Sequence, residues 1–107
     1  MLENLNLIDL ASIDPNGNAV LTIIDNLEWD SENEHLLVLQ NKINVYLEAI
    51  ESGELNDKYP SAKNKSIIIE VVSLHEPNPD GKLFLERVGN ILKASGYAFE
   101  CRTRPVT

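Results

Sequence analysis

The sequence predicts an α+β fold of two layers, in which two helices cover one face of a four-stranded mixed sheet. Four short runs rich in Leu, Ile and Val occur together with two longer segments whose apolar residues recur at helical spacing. These segments follow one another in the order ββαβαβ. At 107 residues the chain has the size of one domain, so we expect a single domain over residues 1–107.

The first two strands are predicted at Leu5–Ile13 and Ala19–Asp25, because aliphatic and β-branched residues dominate both runs. The residues between them, Asp14–Gly17, have the sequence Asp-Pro-Asn-Gly. Proline presets φ for the second position of a turn, and glycine accepts a positive φ. We therefore expect a β-hairpin with a type I turn closed by a glycine bulge.

The first helix is predicted from about Glu32 to Ser52. Ser31 followed by Glu34 has the spacing of a capping box, and Ser52-Gly53 supplies a stop. The apolar residues of this segment fall on one helical face, namely Leu36, Leu39, Ile43, Tyr46, Leu47 and Ile50.

The second half of the chain predicts one more helix between two strands. Glu54–Lys65 is polar and predicts a loop with one short turn, and Ile67–Leu74 is almost continuously β-branched or aliphatic, which favours a strand. Glu76–Gly81 interrupts the chain with two prolines and a glycine. Leu83–Ser95 then predicts a helix, and Tyr97–Arg104 predicts a last strand at an edge of the sheet. Right-handed crossovers favour the strand order 1-2-3-4 with strand 1 antiparallel, and a ferredoxin-like order is the main alternative.

The formal charge of −8 lies entirely in the first 41 residues. This segment contains eight acids and no Lys or Arg, whereas residues 42–107 contain nine acids and nine bases. The acids are densest from Asp25 to Glu34. A one-sided acidic surface repels nucleic acid and anionic lipid and attracts basic proteins. We therefore expect a basic protein partner, no nucleic acid and no membrane.

Cysteine content and hydropathy favour a cytoplasmic protein without cofactors. The single cysteine, Cys101, excludes an internal disulfide and fits a reducing compartment. It lies in an alternating stretch, so we expect a buried or half-buried strand residue. The first residues do not have the pattern of a signal peptide, and no run approaches the roughly 20 apolar residues of a membrane-spanning helix.

The candidate site is the acidic stretch before the first helix. Trp29, the only tryptophan, is either an exposed anchor for a basic partner or a hydrophobic staple that seals the helix start, and the staple is the favoured interpretation. The residues that we expect to bind a partner are Asp25, Glu28, Trp29, Asp30, Glu32 and His35.

Catalytic and metal-binding patterns are missing from the sequence. The acidic stretch does not have the spacing of a calcium-binding loop, and His35 and His75 are not accompanied by zinc ligands at a recognisable spacing. The chain also has no nucleophile elbow and no glycine-rich phosphate loop. Both histidines have a glutamate neighbour, and a His–carboxylate pair can act in acid–base chemistry. The two histidines would meet if strand 3 ends beside the start of the first helix, but two unrelated surface histidines is the favoured interpretation.

Part of the chain resembles a known family. Leu21–Trp29 has the sequence L-T-I-I-D-N-L-E-W, Glu34–Gly53 has the sequence E-H-L-L-V-L-Q-N-K-I-N-V-Y-L-E-A-I-E-S-G, and Tyr59-Pro60 follows. Together they resemble a family of small uncharacterised bacterial proteins, a match that also rests on the polar residues Asp25, Trp29, His35, Gln40 and Asn44. The resemblance implies a compact bacterial α+β domain with a ββαβαβ pattern. It transfers no catalytic residues, because the family has no established activity.

We expect a non-enzymatic acidic interaction protein that binds a basic protein, in an immunity-like or regulatory role. The alternative is a small ligand-binding or hydrolytic domain that uses an Asp/His cluster at the start of the first helix. A homodimer formed through the exposed sheet face or the last strand is a further hypothesis.

Overall fold

The computed structural model describes residues 10–104. The strands in this range are β1 (Leu10–Ile13), β2 (Ala19–Asp25), β3 (Ile67–Ser73) and β4 (Ala98–Thr103). The helices are α1 (Glu34–Glu51), α2 (Glu54–Lys58) and α3 (Pro79–Ala94), and one turn of 3-10 helix spans Pro60–Ala62. Residues 5–9 of the first predicted strand lie outside the described range.

The four strands form one mixed sheet in the order β1-β2-β3-β4. β1 pairs antiparallel with β2, and β2, β3 and β4 are mutually parallel neighbours. The predicted α+β class and strand order are therefore confirmed, and the ferredoxin-like alternative is wrong. The β2–β3 register places Asp25 opposite Ser73, so both strands end at the same edge of the sheet.

The core lies between one face of the sheet and the two long helices. Leu21 and Ile23 of β2 lie opposite Ile69 and Val71 of β3, and all four are fully buried. The buried apolar residues that the helices pack onto this face are Leu39, Ile43 and Tyr46 of α1 and Leu85 and Leu92 of α3. Burial of these side chains supplies most of the driving force for the layered packing.

The hairpin between β1 and β2 has the predicted geometry. Gly17 has a φ of 83°, its N–H donates to the carbonyl of Asp14 at 3.0 Å, and the Asp14 N–H donates to the carbonyl of Asn18 at 2.9 Å. The Asp14 carboxylate also accepts the N–H groups of Asn16 and Asn18 at 2.9 and 2.8 Å. The bond from the Asn18 N–H is the main reason why the pKa of Asp14 is lowered.

The start of α1 differs from the predicted capping box, which is wrong. Asn33 is the N-cap, with a left-handed φ of 60° and no capping bond from its side chain. Asp30 satisfies the first turn instead, because its carboxylate accepts the N–H of Glu34 at 3.1 Å and that of His35 at 3.0 Å. Glu34 lies in the first turn as expected, whereas Glu32 lies in the turn before it.

The second long helix begins at Pro79, four residues before the predicted start. Asn78 is its N-cap and accepts the N–H of Gly81 on its side-chain oxygen at 2.8 Å. Proline fits the first position of a helix, because the N–H that it lacks would have no helical partner there. The segment predicted only as a break in the chain therefore contains the helix start.

Candidate functional site

The predicted site residues cluster at the carboxyl end of β2. Asp25 is the last residue of β2 and His35 is the second residue of α1, and the two side chains meet in the interior. His35 Nε2 lies 2.7 Å from Asp25 Oδ1 and 2.6 Å from Oδ2. The side chains of His35 and Asp25 are 2% and 0% exposed, so the pair is excluded from solvent.

Both nitrogens of the His35 ring face oxygen atoms. Nδ1 lies 3.1 Å from the backbone carbonyl of Glu28, which can only accept a hydrogen bond. Nδ1 is therefore placed to donate to this carbonyl, and Nε2 is placed to share a hydrogen bond with the Asp25 carboxylate. Neither nitrogen of His35 is left free to exchange a proton with a substrate in this arrangement.

Backbone bonds also hold Asp25 in place. Its Oδ1 accepts the N–H of Leu27 at 3.2 Å, and its carbonyl accepts the N–H of Leu74 at 2.9 Å. The aspartate thus connects the end of β2 to the loop before α1 and to the residue after β3.

Trp29 packs over this pair rather than projecting freely into solvent. Its ring centroid lies 3.9 Å from that of His35, at an interplanar angle of 32°. The indole also packs against Gly81 of α3, where an added Cβ atom would lie only 2.6 Å from the indole carbons Cε3 and Cζ3. The indole N–H donates to the carbonyl of His75 at 3.2 Å. The half-buried indole therefore joins the loop before α1 to the start of α3.

Two asparagine side chains connect the same two loops. Asn78 donates from Nδ2 to the carbonyl of Asp30 at 3.3 Å, and Asn33 donates from Nδ2 to Asp80 Oδ2 at 3.3 Å. With the indole bond, three hydrogen bonds link residues 26–33 to the segment that contains the end of β3 and the start of α3. The acids of both segments consequently share one end of the molecule.

We define the acidic rim as the five exposed carboxylates of these two segments and of the first residue of α1, namely Glu28, Glu32, Glu34, Glu76 and Asp80. Lys82 lies near the rim, with its Nζ 3.7 Å from Glu76 Oε1. Asp30 differs from the rim residues because its carboxylate caps α1, and the N–H of His35 is the main reason why its pKa is lowered.

The six predicted residues therefore have different roles. Glu28 and Glu32 face solvent, Asp25 and His35 are buried together, and Trp29 and Asp30 are partly buried and bonded within the fold. Sequence reasoning missed the rim members that follow β3, Glu76 and Asp80, because they join the site only through contacts between distant parts of the chain.

The described residues give little support for a metal site or for a site that uses both histidines. Within residues 10–104, no group of three or more His, Cys, Asp or Glu side chains is placed to hold a metal ion. The expectation of two unrelated surface histidines is wrong, because His75 is exposed but His35 is buried. Trp29 connects them, since it donates to the His75 carbonyl and packs on the His35 ring. No helix in the described part of the chain is long and apolar enough to cross a membrane.

Comparison with known proteins identifies a family but no characterised relative. The model of a family of unknown function matches residues 1–105 of the chain. The predicted resemblance to a family without a known function is thereby confirmed. No curated protein and no solved structure matches the chain.

Proposed function

Because the chain belongs to a family of unknown function (DUF6572), we propose from its geometry that it is a non-enzymatic interaction protein that binds a basic protein through the acidic rim. The observation that carries the proposal is the fixed arrangement of the rim. Three hydrogen bonds and the stacked indole hold its two segments together. A surface that is ordered before binding loses less conformational entropy on association.

Charge gives the proposed surface its specificity. The Asp25–His35 pair is excluded from solvent, so the exposed carboxylates of the rim dominate the potential at this end. Opposite charges on a partner would accelerate the encounter and fix its orientation. A polyanion such as nucleic acid would be repelled by the same potential.

We further propose that the partner is a protein of the bacterial cytoplasm and that binding neutralises or regulates it, as an immunity protein does. The sequence supports this compartment through its single cysteine, Cys101, which fits a reducing environment. The partner would present Arg or Lys side chains to the rim, and the part of the Trp29 indole that stays exposed would add an apolar contact.

The alternative of a hydrolytic or ligand-binding Asp/His cluster has less support. A general base needs a nitrogen within hydrogen-bond reach of the substrate proton. His35 directs one nitrogen to Asp25 and the other to the Glu28 carbonyl, and Trp29 covers its ring. The geometry is better suited to holding the loop than to proton transfer.

Two charge variants and affinity capture test the proposal. Glu28→Lys/Glu32→Lys changes two rim carboxylates whose side chains cap no helix, and Glu48→Lys/Glu51→Lys makes the same change in net charge near the end of α1. Each purified variant and the native protein would be used as bait in native lysate at about 50 and about 300 mM salt, a range over which exposed charges become largely screened. Captured proteins would be identified by mass spectrometry.

We expect one dominant basic protein to bind the native chain and the α1 control, and to be lost with the rim variant and at the higher salt concentration. Equal capture by the rim variant and the control would overturn the assignment of the rim. Capture that is insensitive to salt would overturn its electrostatic basis.

A further inference from the structure

β4 is an outer strand of the sheet, and its bonds to β3 determine which of its residues direct their backbone N–H and C=O groups to the free edge. The N–H of Arg104 donates to the carbonyl of Ser73 in β3 at 2.7 Å. In a strand, alternate residues direct their backbone groups to opposite sides. The backbone groups of Arg102 therefore face β3, and those of Cys101 and its neighbours two residues away face outwards, where the described residues place no further strand.

The side chains of β4 on the face opposite the helices have an unbalanced charge pattern. Glu100 lies directly opposite Glu70 in the β3–β4 register, which places two like charges side by side. Arg102 Nη2 lies 3.5 Å from Glu70 Oε1. In the described part of the chain, no cation forms an ion pair with Glu100.

We propose that two copies of the chain associate through β4 in an antiparallel pair whose two-fold axis passes between the two Cys101 residues. In this register each Glu100 lies opposite the partner's Arg102, and each Arg102 lies opposite the partner's Glu100. The outward backbone groups of Phe99, Cys101 and Thr103 then form the ladder. The two sheets become one continuous sheet of both copies.

The outward backbone groups permit this register, and the charge pattern selects it from the other registers that they permit. When an antiparallel pair is centred on Cys101, the two Cys101 residues lie opposite each other and exchange backbone hydrogen bonds, because their backbone groups face outwards. The neighbouring positions are then non-hydrogen-bonded pairs, in which side chains approach most closely. These positions hold the complementary charges of Glu100 and Arg102. Shifting the centre to Glu100 or Arg102 would place identical charges opposite each other.

A groove on the helix side of β4 is continuous with the proposed interface. It has a volume of about 480 Å³ and is lined by Phe99, Cys101 and Thr103 on the sheet and by Leu85 and Gly89 on α3, among others. α3 leaves these β4 side chains partly uncovered. In the proposed pair, each Phe99 lies opposite the partner's Thr103 on this same side and extends the apolar surface across the axis.

Sedimentation velocity and equilibrium with the native chain give the first test. We expect a reversible shift from 12 kDa to twice this mass as the concentration rises from about 1 µM to about 1 mM, a range that covers weak and moderate dimers. A 12 kDa species at every concentration would overturn the proposal.

A pair of complementary charge variants tests the register. Glu100→Arg leaves two cations on the edge of each copy, and Arg102→Glu leaves two anions. Each variant alone should therefore dimerise at least about tenfold more weakly than the native chain, because attractive cross-strand pairs become repulsive. An equimolar mixture should recover the heterodimer, since every Arg then faces a Glu.

The mixture also controls for folding, because two misfolded variants would not recover association. Unchanged dimerisation of both single variants, or a mixture that stays monomeric while both variants retain native circular dichroism, would overturn the register. If either variant fails to fold, oxidation of the native chain with copper phenanthroline decides instead.

In the proposed pair the two Cys101 Cα atoms are about 5.5 Å apart, which lies within the range that a disulfide spans. Oxidation should thus give a covalent dimer that reducing agent dissolves and that Cys101→Ser abolishes. Its absence in a sample that sediments as a dimer would also overturn the register. These outcomes do not depend on the acidic rim, whose members lie outside β4.

Discussion

Replacing His35 with alanine should strongly destabilise the fold, although the residue lies at the end of the core next to the surface loops. The change removes the hydrogen-bonding partner of the Asp25 carboxylate, which is fully buried. Among the described residues, the Asp25 carboxylate would keep one hydrogen-bond donor, the backbone N–H of Leu27 at 3.2 Å. Breaking one side of a buried ion pair costs about 3–5 kcal/mol, because the other charge stays buried without compensation.

The loss of the stacked indole contact increases this cost. Trp29 lies 3.9 Å from the His35 ring, and contacts of this kind contribute about 0.5–1.5 kcal/mol beyond the area they bury. The total is a large fraction of the roughly 5–15 kcal/mol that stabilises a domain. Asp25→Asn should cost less, about 1–2 kcal/mol, because its amide can still donate to Nε2 while the charge-assisted bond is lost.

Urea denaturation at 25 °C and pH 7, followed by circular dichroism, measures these changes. With a slope near 1.5 kcal/mol per M, the combined loss of about 3.5–6.5 kcal/mol should lower the His35→Ala midpoint by about 2–4 M relative to the native chain. His75→Ala is the matched control, because that side chain is exposed and should change the midpoint very little. A loss below about 1 kcal/mol for His35→Ala would refute the interpretation of the pair as a buried, compensated charge.

Three further predictions concern packing, capping and thiol chemistry. Gly81→Ala should lower the free energy of unfolding by about 1–3 kcal/mol and shift the Trp29 emission, because the new Cβ atom would lie 2.6 Å from the indole. The control is Gly89→Ala in the same helix, where the nearest atom lies at 3.4 Å, and it should be neutral or stabilising in thermal unfolding. Asp30→Asn should destabilise the chain at pH 7 but not at pH 2. A carboxylate whose pKa is lowered in the folded state stabilises the fold above its ordinary pKa of 3.8, and this effect is lost as the pH falls through the folded pKa. Equal losses of stability at both pH values in urea titrations would contradict this prediction. Cys101 is exposed rather than buried or half-buried as predicted, but neighbouring atoms partly desolvate its thiol and raise its pKa. It should therefore react with iodoacetamide at pH 7.5 more slowly in the native chain than in urea, and equal rates would count against this explanation.

The sequence was sufficient for the order of the elements because each element depends on local patterns. Asp14–Gly17 specifies a hairpin through turn residues whose preferences act within four positions. The apolar stripe of α1 shows its helical period directly, and the run of β3 indicates a strand through its β-branched residues. Once the elements are known, right-handed crossovers favour the observed strand order, but they are also compatible with a ferredoxin-like order.

Helix starts and the site were harder to predict because they depend on competition between several plausible groups. Ser31 and Asp30 are both suitable caps, and the tight turn that places Asn33 at a φ of 60° gives the first N–H groups to Asp30. Asn78-Pro79 has the residues of a helix start, but the prolines around it also fit a break in the chain.

The contact between Asp25 and His35 illustrates the remaining limit. Residues ten positions apart can meet only if the strand end and the helix start are correctly placed in space. The same holds for the rim, which combines residues before α1 with residues after β3 through bonds such as Asn33 to Asp80. A charge count along the chain detects the acids but not which of them reach solvent.

The retention of a buried ion pair at this position is best explained by the geometry that it imposes. Well-packed apolar residues of similar volume often stabilise a fold as much as a buried pair does or more, so stability alone does not require Asp25 and His35. Their hydrogen bond joins the last residue of β2 to the second residue of α1 and fixes the orientation of the His35 ring. The fixed ring in turn contacts the Glu28 carbonyl through Nδ1 and packs against Trp29. The loop between them presents Glu28 and Glu32 to solvent. The pair therefore orders the surface proposed to bind a partner, and it does so with the two residues that an enzyme would instead have to keep accessible.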